Sequence, residues 1–312
     1  MMGGSSITAA IPLRTRVRAW FSRRAAAVVL SSGLPIQRVQ VLASTASDVD
    51  ATDPLAYLHA SVRAVMQGRD SAGLLLHAST ELPVGAGLGS SAALTLASVA
   101  SVAHLTGNQD PEIGTICALA RRAECDELHT GAGWMDFLAC GYGGVNRVVA
   151  EEIPRVQRIL TCLHVPIVIV DTLLRRHTKR VLASKKQRFL AGDRAILEYA
   201  QVTTQIVGEL NSELHHRRID YSAVGRLLTA AHEQLRDRVG CSTELLDTCI
   251  SRMLAAGAYG AKLSGSGYGG CLFALVPEDA LLNVLASVES LPVYALPLND
   301  SEVEGLRFHS TP

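Results

Sequence analysis

Apolar residues recur along this chain at two different spacings, and the places where one gives way to the other divide it into elements. Ser5 to Trp20 is rich in β-branched residues and alternates in part, which predicts a strand; further strands are expected around Val28 and from Val39 to Leu42. Between Asp53 and Gly68 the apolar positions Leu55, Leu58, Val62, Val65 and Met66 fall three and four apart, the signature of an amphipathic helix. Ala72 to Thr80 reads as a strand entering a glycine-rich loop, and Ser91 to Thr106, small and apolar with no proline, as a buried helix. Pro111 to Leu128 predicts another helix, with Asp110 as its cap ahead of a proline in the first turn. Gly131 to Gly144 reads as a glycine-rich loop around a short apolar segment. Val165 to Asp171, with the run PIVIV bounded by proline and a carboxylate, reads by composition as a buried strand. Long helical stretches over Lys185–Leu214 and Ile219–Val239 follow. The chain closes with a helix near Leu245–Ala256, a strand-loop element over Lys262–Val276 and a helix-strand pair over Pro277–Leu298.

Strands early and helices clustered in the middle argue for an α+β protein of two lobes rather than a repeating βαβ unit. The boundary is expected in the polar stretch Ala150 to Arg158, giving domains 1–155 and 156–312. A chain of 312 residues with 48% hydrophobic and 19% charged content can bury such cores. Lys+Arg and Asp+Glu both total 29, so no overall field draws nucleic acid or an anionic membrane, and neither is expected as a partner. The seven cysteines are scattered without a CxxC pair, which points to reduced thiols in a cytoplasm rather than to zinc or a disulfide framework. No secretory signal or bilayer-length apolar run stands out.

The segment most suggestive of chemistry is Pro83-Val84-Gly85-Ala86-Gly87-Leu88-Gly89-Ser90-Ser91-Ala92-Ala93. Its glycines clear side chains from a path that a polyanion can follow along the backbone. The small residues after them open a helix whose N-terminus offers N–H groups and a positive dipole end. A serine hydroxyl there is placed to reach a magnesium ion. No lysine follows the last glycine, so this is not a Walker loop, and the G-x-G-x-x-G spacing fails after Gly87.

The string P-x-G-x-G-L-G-S-S-A-A resembles the central phosphate-binding motif of the GHMP kinases. Lys262-Leu263-Ser264-Gly265-Ser266-Gly267-Tyr268-Gly269-Gly270-Cys271 resembles that family's C-terminal glycine motif, which lies against the nucleotide site and stiffens it. Gly3-Gly4 followed by Ala10-Ile11-Pro12 resembles the strand just after the family's first motif, so the likeness spans nearly the whole chain in the family's order. The resemblance implies a ribosomal-S5-domain-2-like N-terminal lobe and a ferredoxin-like C-terminal lobe. It implies ATP and Mg²⁺ as cofactors, with Gly85, Ala86, Gly87, Leu88, Gly89, Ser90 and Ser91 around the phosphates and Ser91 on the metal.

Phosphoryl transfer to a hydroxyl needs positioning, metal charge and often a carboxylate for the hydroxyl proton. Glu124, in Arg-Arg-Ala-Glu, and Asp136, in Gly-Trp-Met-Asp, are the candidates. In galactokinase-like members the metal-binding Glu precedes the catalytic Asp by twelve positions and the Asp sits in Gly-x-Met-Asp; here 136 − 124 is twelve. Glu124 is therefore expected on the metal and Asp136 as the catalytic acid residue of a galactokinase-like sugar kinase. The mevalonate-type pattern Pro-Ser-Gly-Ile-Asp is absent, while Gly143-Gly144-Val145-Asn146 is similar to heptose-phosphate kinases of the superfamily.

The family's sugar-gripping Arg-Val-Asn-x-x-Gly-Glu-His occurs nowhere, and the tyrosine expected after the Asp171 strand is replaced by Arg175-Arg176-His177-Thr178-Lys179-Arg180. A truncated start is the expectation from this; a chain this short would have impaired catalysis. The basic run from Arg175 to Arg188 reads as a solvated helical face, His215-His216 as an exposed helix end, and Cys271 as a buried small residue. Trp134 stands beside Asp136 and suits either a wall of the acceptor pocket or packing of its loop. The reading is a cytoplasmic, ATP-dependent sugar kinase, monomer or homodimer. A heptose-phosphate or mevalonate-type kinase and a non-catalytic ATP- and sugar-binding regulator are the alternatives.

Overall fold

The computed structural model describes residues 4–25, 28–32, 38–42, 53, 55–107, 111–174, 178–296 and 303–309. The stretch expected as one strand from Ser5 to Trp20 is two, β1 (Ser5–Ala9) and β2 (Thr15–Phe21), interrupted around Pro12. Proline lacks the N–H that a ladder needs, and the two strands join different sheets. They also fall in different compact units. The first unit comprises residues 11–84, 89–143 and 304–312, and the second residues 1–10, 85–88 and 144–303.

In the first unit, β2 joins β3 (Val28–Ser32), β4 (Arg38–Leu42) and β5 (Leu74–Thr80) in the order β2-β5-β3-β4. The β3–β5 pairing is parallel, with Val29 opposite Leu75 and Leu30 opposite Leu76, and the other pairings are antiparallel. Helix α1 (Ala56–Met66) turns the expected apolar stripe inward: Leu58, Val62 and Met66 pack on Val28, Leu30, Leu74 and Leu76. Full burial of side chains of this size stabilises by about 1.5–3 kcal/mol each. Helix α2 (Ser90–Leu105) adds Val102 to that core.

Helix α3 (Ile113–Arg122) starts later than expected, capped by Glu112 without a side-chain hydrogen bond; Asp110 lies outside the described residues. Past Arg122 the helix widens into a π-helical turn, Ala123–Glu127. The glycine-rich loop expected over Gly131–Gly144 instead contains a helix, α4 (Met135–Tyr142). Its flanking glycines disguised it in the sequence. At its end Gly141 O accepts from Leu306 N at 3.0 Å, Gly143 bridges Glu304, and Arg14 Nη1 donates to Glu304 O at 2.8 Å. Gly305 approaches the Gly141 carbonyl so closely that a Cβ would collide with it.

The second unit holds two sheets. One is β1-β6-β7, with β6 (Val145–Val149) and β7 (Arg155–Leu160). The other is β11-β8-β10-β9, with β8 (Ile167–Asp171), β9 (Gly260–Leu263), β10 (Cys271–Leu275) and β11 (Val293–Leu296), all antiparallel. The helices are α5 (Thr178–Leu190), α6 (Arg194–Leu214), α7 (Tyr221–Gln234), α8 (Glu244–Ala255) and α9 (Leu281–Ser287). The expected continuous helix over Lys185–Leu214 is broken at Gly192 and Asp193. The Asp193 carboxylate takes the N–H groups of Ala195 and Ile196 and so starts a new helix. Val168, Val170, Leu263 and Leu272 pack with Leu246, Ile250 and Met253 to form the core of this sheet. Arg175, Arg176 and His177 of the basic run lie outside the described residues, as does Leu298 at the end of the last expected strand. Among the described residues no helix is long and apolar enough to cross a membrane.

Candidate active site

The first unit brings Ser91, Glu124 and Asp136 together. Helix α2 begins from Gly89 at φ 71°, ψ 22°, with no side-chain cap on its first N–H groups. A Cβ at Gly89 would be strained by that φ, although it would meet Asp136 Cβ only in ordinary contact at 3.4 Å, so it is the backbone conformation at the start of α2, beside the first turn of α4, that calls for glycine. One residue into the helix, Ser91 Oγ donates to Glu124 Oε1 at 3.3 Å. Thr95 Oγ1 donates to the Ser91 carbonyl at 2.9 Å and fixes that turn.

Glu124 is 3% exposed, and its Oε2 is buried without a hydrogen-bond partner among the described residues. Burial pushes its carboxyl up to about 7. The hydrogen bond from Ser91 opposes the rise, and the charge of Asp136 adds to it. Burial likewise pushes the Tyr57 hydroxyl on α1 up to about 12, with the Glu124 charge contributing. A buried carboxylate with an unsatisfied oxygen is costly unless a cation or donor meets it. Glu124 and the Ser91 hydroxyl are hard oxygen donors that fit magnesium, which takes one or two carboxylates and completes its shell with phosphate and water. Among the described residues there is no group of three or more His, Cys, Asp or Glu that could enclose a metal by itself.

Asp136 is exposed in the first turn of α4. One turn on, burial pushes the Cys140 thiol up to about 12, with Asp136 adding to the effect, which makes it an inert packing group rather than a nucleophile. The sequence reading passed over Arg121. Its guanidinium stands 4.8 Å from the centroid of the Trp134 ring, and its Nε is buried without a hydrogen-bond partner among the described residues. Spacing alone puts it nearby, since Arg121 precedes Glu124 by three positions, one helical turn, and Trp134 precedes Asp136 by two, but spacing does not mark it as unpaired.

Gly85, Ala86, Gly87 and Leu88 belong to the second unit. Ala86 O accepts from Cys271 N at 2.7 Å and Gly87 O from Ser264 Oγ at 3.0 Å, so the later glycine motif holds the earlier loop. Gly85 and Gly87 take φ of 73° and 85°, which side-chain-bearing residues rarely adopt. Within the same motif, Lys262 Nζ donates to Leu263 O at 2.7 Å, and burial pushes it down to about 8. Cys271 is fully buried, as expected of a packing residue. His215 and His216 are exposed at the end of α6.

Residues 56–144 match the family model for the GHMP kinases N terminal domain, and residues 210–292 that for GHMP kinases C terminal. A mevalonate kinase of Thermococcus gammatolerans is 30% identical over 290 residues, covering 88% of this chain and 84% of the relative. A galactokinase of Mycobacterium bovis is 27% identical over 248 residues, covering 70% and 68%. Among solved structures, the mevalonate kinase of Methanococcus jannaschii superposes with a TM-score of 0.78 at 19% identity, covering 96% of this chain and 92% of that one.

Proposed function

Because the chain belongs to the GHMP kinase family, we propose that it transfers the γ-phosphoryl group of ATP to a hydroxyl of a small acceptor, with a sugar as the first expectation. The observation that carries this reading is the buried Glu124 carboxylate, with one oxygen on Ser91 and the other unpartnered, next to an exposed Asp136. On this reading the continuous stretch Gly85–Ser91 lines the phosphates with backbone and hydroxyl groups. Ser91 and Glu124 would hold magnesium, which would supply neutralising charge for the phosphates.

Asp136 orients the acceptor hydroxyl and takes its proton. The hydroxyl oxygen bonds to the γ-phosphorus, and the bond from that phosphorus to the β–γ bridging oxygen breaks, leaving ADP. Because Asp136 is exposed it keeps a route to return the proton to water. Glu124, held off water by burial, suits metal binding better than proton transfer to a solvent-borne acceptor.

The sugar expectation rests on the twelve-residue spacing from Glu124 to Asp136 and on Gly-x-Met-Asp. A mevalonate-type acceptor is the second reading, favoured by the 30% identity to the Thermococcus gammatolerans mevalonate kinase. The deciding experiment is ATP-dependent phosphorylation across galactose, other free sugars, sugar phosphates and mevalonate, with Asp136→Asn in parallel. Turnover of one acceptor that drops by about 10²–10⁴ in the variant, with ATP affinity unchanged, is the expected result. ATP binding without turnover of any acceptor would overturn the proposal in favour of a regulator.

A further inference from the structure

Arg121 is a cation placed without the counter-charge that its surroundings could have supplied. Its neighbours' acids do not meet it: Asp126 pairs with Arg122 at 4.0 Å, Glu127 with Arg63 at 3.2 Å, and Glu124 turns one oxygen to Ser91 and keeps the other unpartnered among the described residues. Among the described residues the Arg121 side chain makes no ion pair and donates no hydrogen bond, although it is half-buried and its Nε is wholly so. What it does have is the face of Trp134 at 4.8 Å. A cation over an indole gains about 0.5–2 kcal/mol, yet the ring satisfies none of the five N–H groups that a guanidinium presents to a carboxylate or phosphate. The pair is also fixed in place. Arg121 lies on the last turn of α3, and Trp134 is the N-cap residue of α4, immediately ahead of the turn that carries Asp136. Cys125 Sγ bonds the Ala132 carbonyl at 3.3 Å, tying the π-helical turn to the loop that leads into Trp134.

We propose that Arg121, backed by Trp134, receives an anionic group of the acceptor, a carboxylate or a phosphate, while Asp136 handles its hydroxyl. This rests on the kinase reading above and narrows it: the acceptor is an anionic hydroxy compound, such as a hydroxy acid or a sugar phosphate, rather than a neutral sugar. Arg121 is then a specificity-determining residue, and Trp134 positions it.

Matched acceptors test this in the unmodified protein: mevalonate against the neutral triol in which its carboxylate becomes CH₂OH, and galactose 6-phosphate against galactose. The expected result is a kcat/KM for one anionic member about 10- to 100-fold above its neutral mate, the span of one charge-assisted contact. The pair that shows it separates carboxylate from phosphate. Arg121→Gln erases that preference through the KM of the anionic member, and Arg121→Lys restores part of it. Equal turnover of both members of each pair, or an equal loss on both in Arg121→Gln, overturns the proposal while leaving the kinase reading intact.

A binding measurement separates the other case. In a Trp20→Phe background Trp134 is the sole tryptophan, and its emission is followed while mevalonate or galactose 6-phosphate is added. A saturable change absent with the neutral mates and absent in Arg121→Gln, in a protein that turns over no acceptor, supports the anion receptor and sinks the kinase reading. No change with either anion sinks the receptor.

Discussion

Replacing Glu124 by glutamine keeps the shape of the side chain and removes its charge, so the difference between the two proteins as pH changes reports that one carboxyl. In the folded chain the group lies at about 7, against 4.5 for a free glutamate. The gap of roughly 2.5 pH units corresponds to about 3 kcal/mol. The sign follows from proton counts. Between about pH 4.5 and 7 the folded chain holds a proton that the unfolded chain has released, so folding is favoured at the acid end. That stability is fully present below the unfolded value and is lost as pH rises through the folded one. The wild type therefore loses about 3 kcal/mol relative to Glu124→Gln on going from pH 4.5 to 8, measured as free energies of urea denaturation in metal-free buffer. Magnesium with a non-hydrolysable ATP analogue should stabilise the wild type more than the variant, because a ligand that binds only the folded state stabilises it by mass action and the variant lacks the charged ligand to the metal. A flat difference profile, or one in which the wild type gains with pH, refutes the view of Glu124 as a buried carboxylate awaiting a cation.

Further expectations follow from the same geometry. Gly89→Ala forces a side chain into positive φ and toward Asp136. It should cost about 1–2 kcal/mol in urea denaturation and lower kcat in the acceptor assay. Lys262→Met removes an ammonium that burial has pushed down to about 8 from 10.5. The unfolded chain binds the extra proton between those values, so the wild type gains stability relative to the variant as pH rises from about 8 to 10.5, read from urea midpoints. Ser264→Ala deletes the hydroxyl on the Gly87 carbonyl. Its expected effect is about 0.5–1.5 kcal/mol of stability and weaker binding of the ATP analogue by calorimetry.

Much of the architecture was legible because burial leaves a period in the sequence. Leu55, Leu58, Val62 and Met66 announced α1, and the run PIVIV announced β8. What escaped was decided by single residues working against their composition. Pro12 cut one expected strand into two that serve different sheets, and Asp193 capped a new helix inside an apparently continuous one. Helix α4 was hidden by four glycines around eight helical residues, and tertiary contacts with Leu306 and Glu304 overrode their local preference for loop. For the candidate site, the loop and both acids could be named because motifs fix residue type and spacing. Arg121 could not, because its significance lies in partners it lacks, and sequence does not record which acids are already engaged.

The strap that pins α4 has a consequence for how the protein is made. The unit that holds Ser91, Glu124 and Asp136 is assembled from residues 11–84, 89–143 and 304–312. A nascent chain emerges N-terminus first, at about 5–20 residues per second. The helix carrying Asp136 therefore waits through the synthesis of some 160 further residues before Glu304 and Leu306 arrive to close it. Until then its backbone end at Gly141 to Gly143 lacks those partners, and a chain released early on the ribosome carries every acid of the candidate site without the lock that sets one of them.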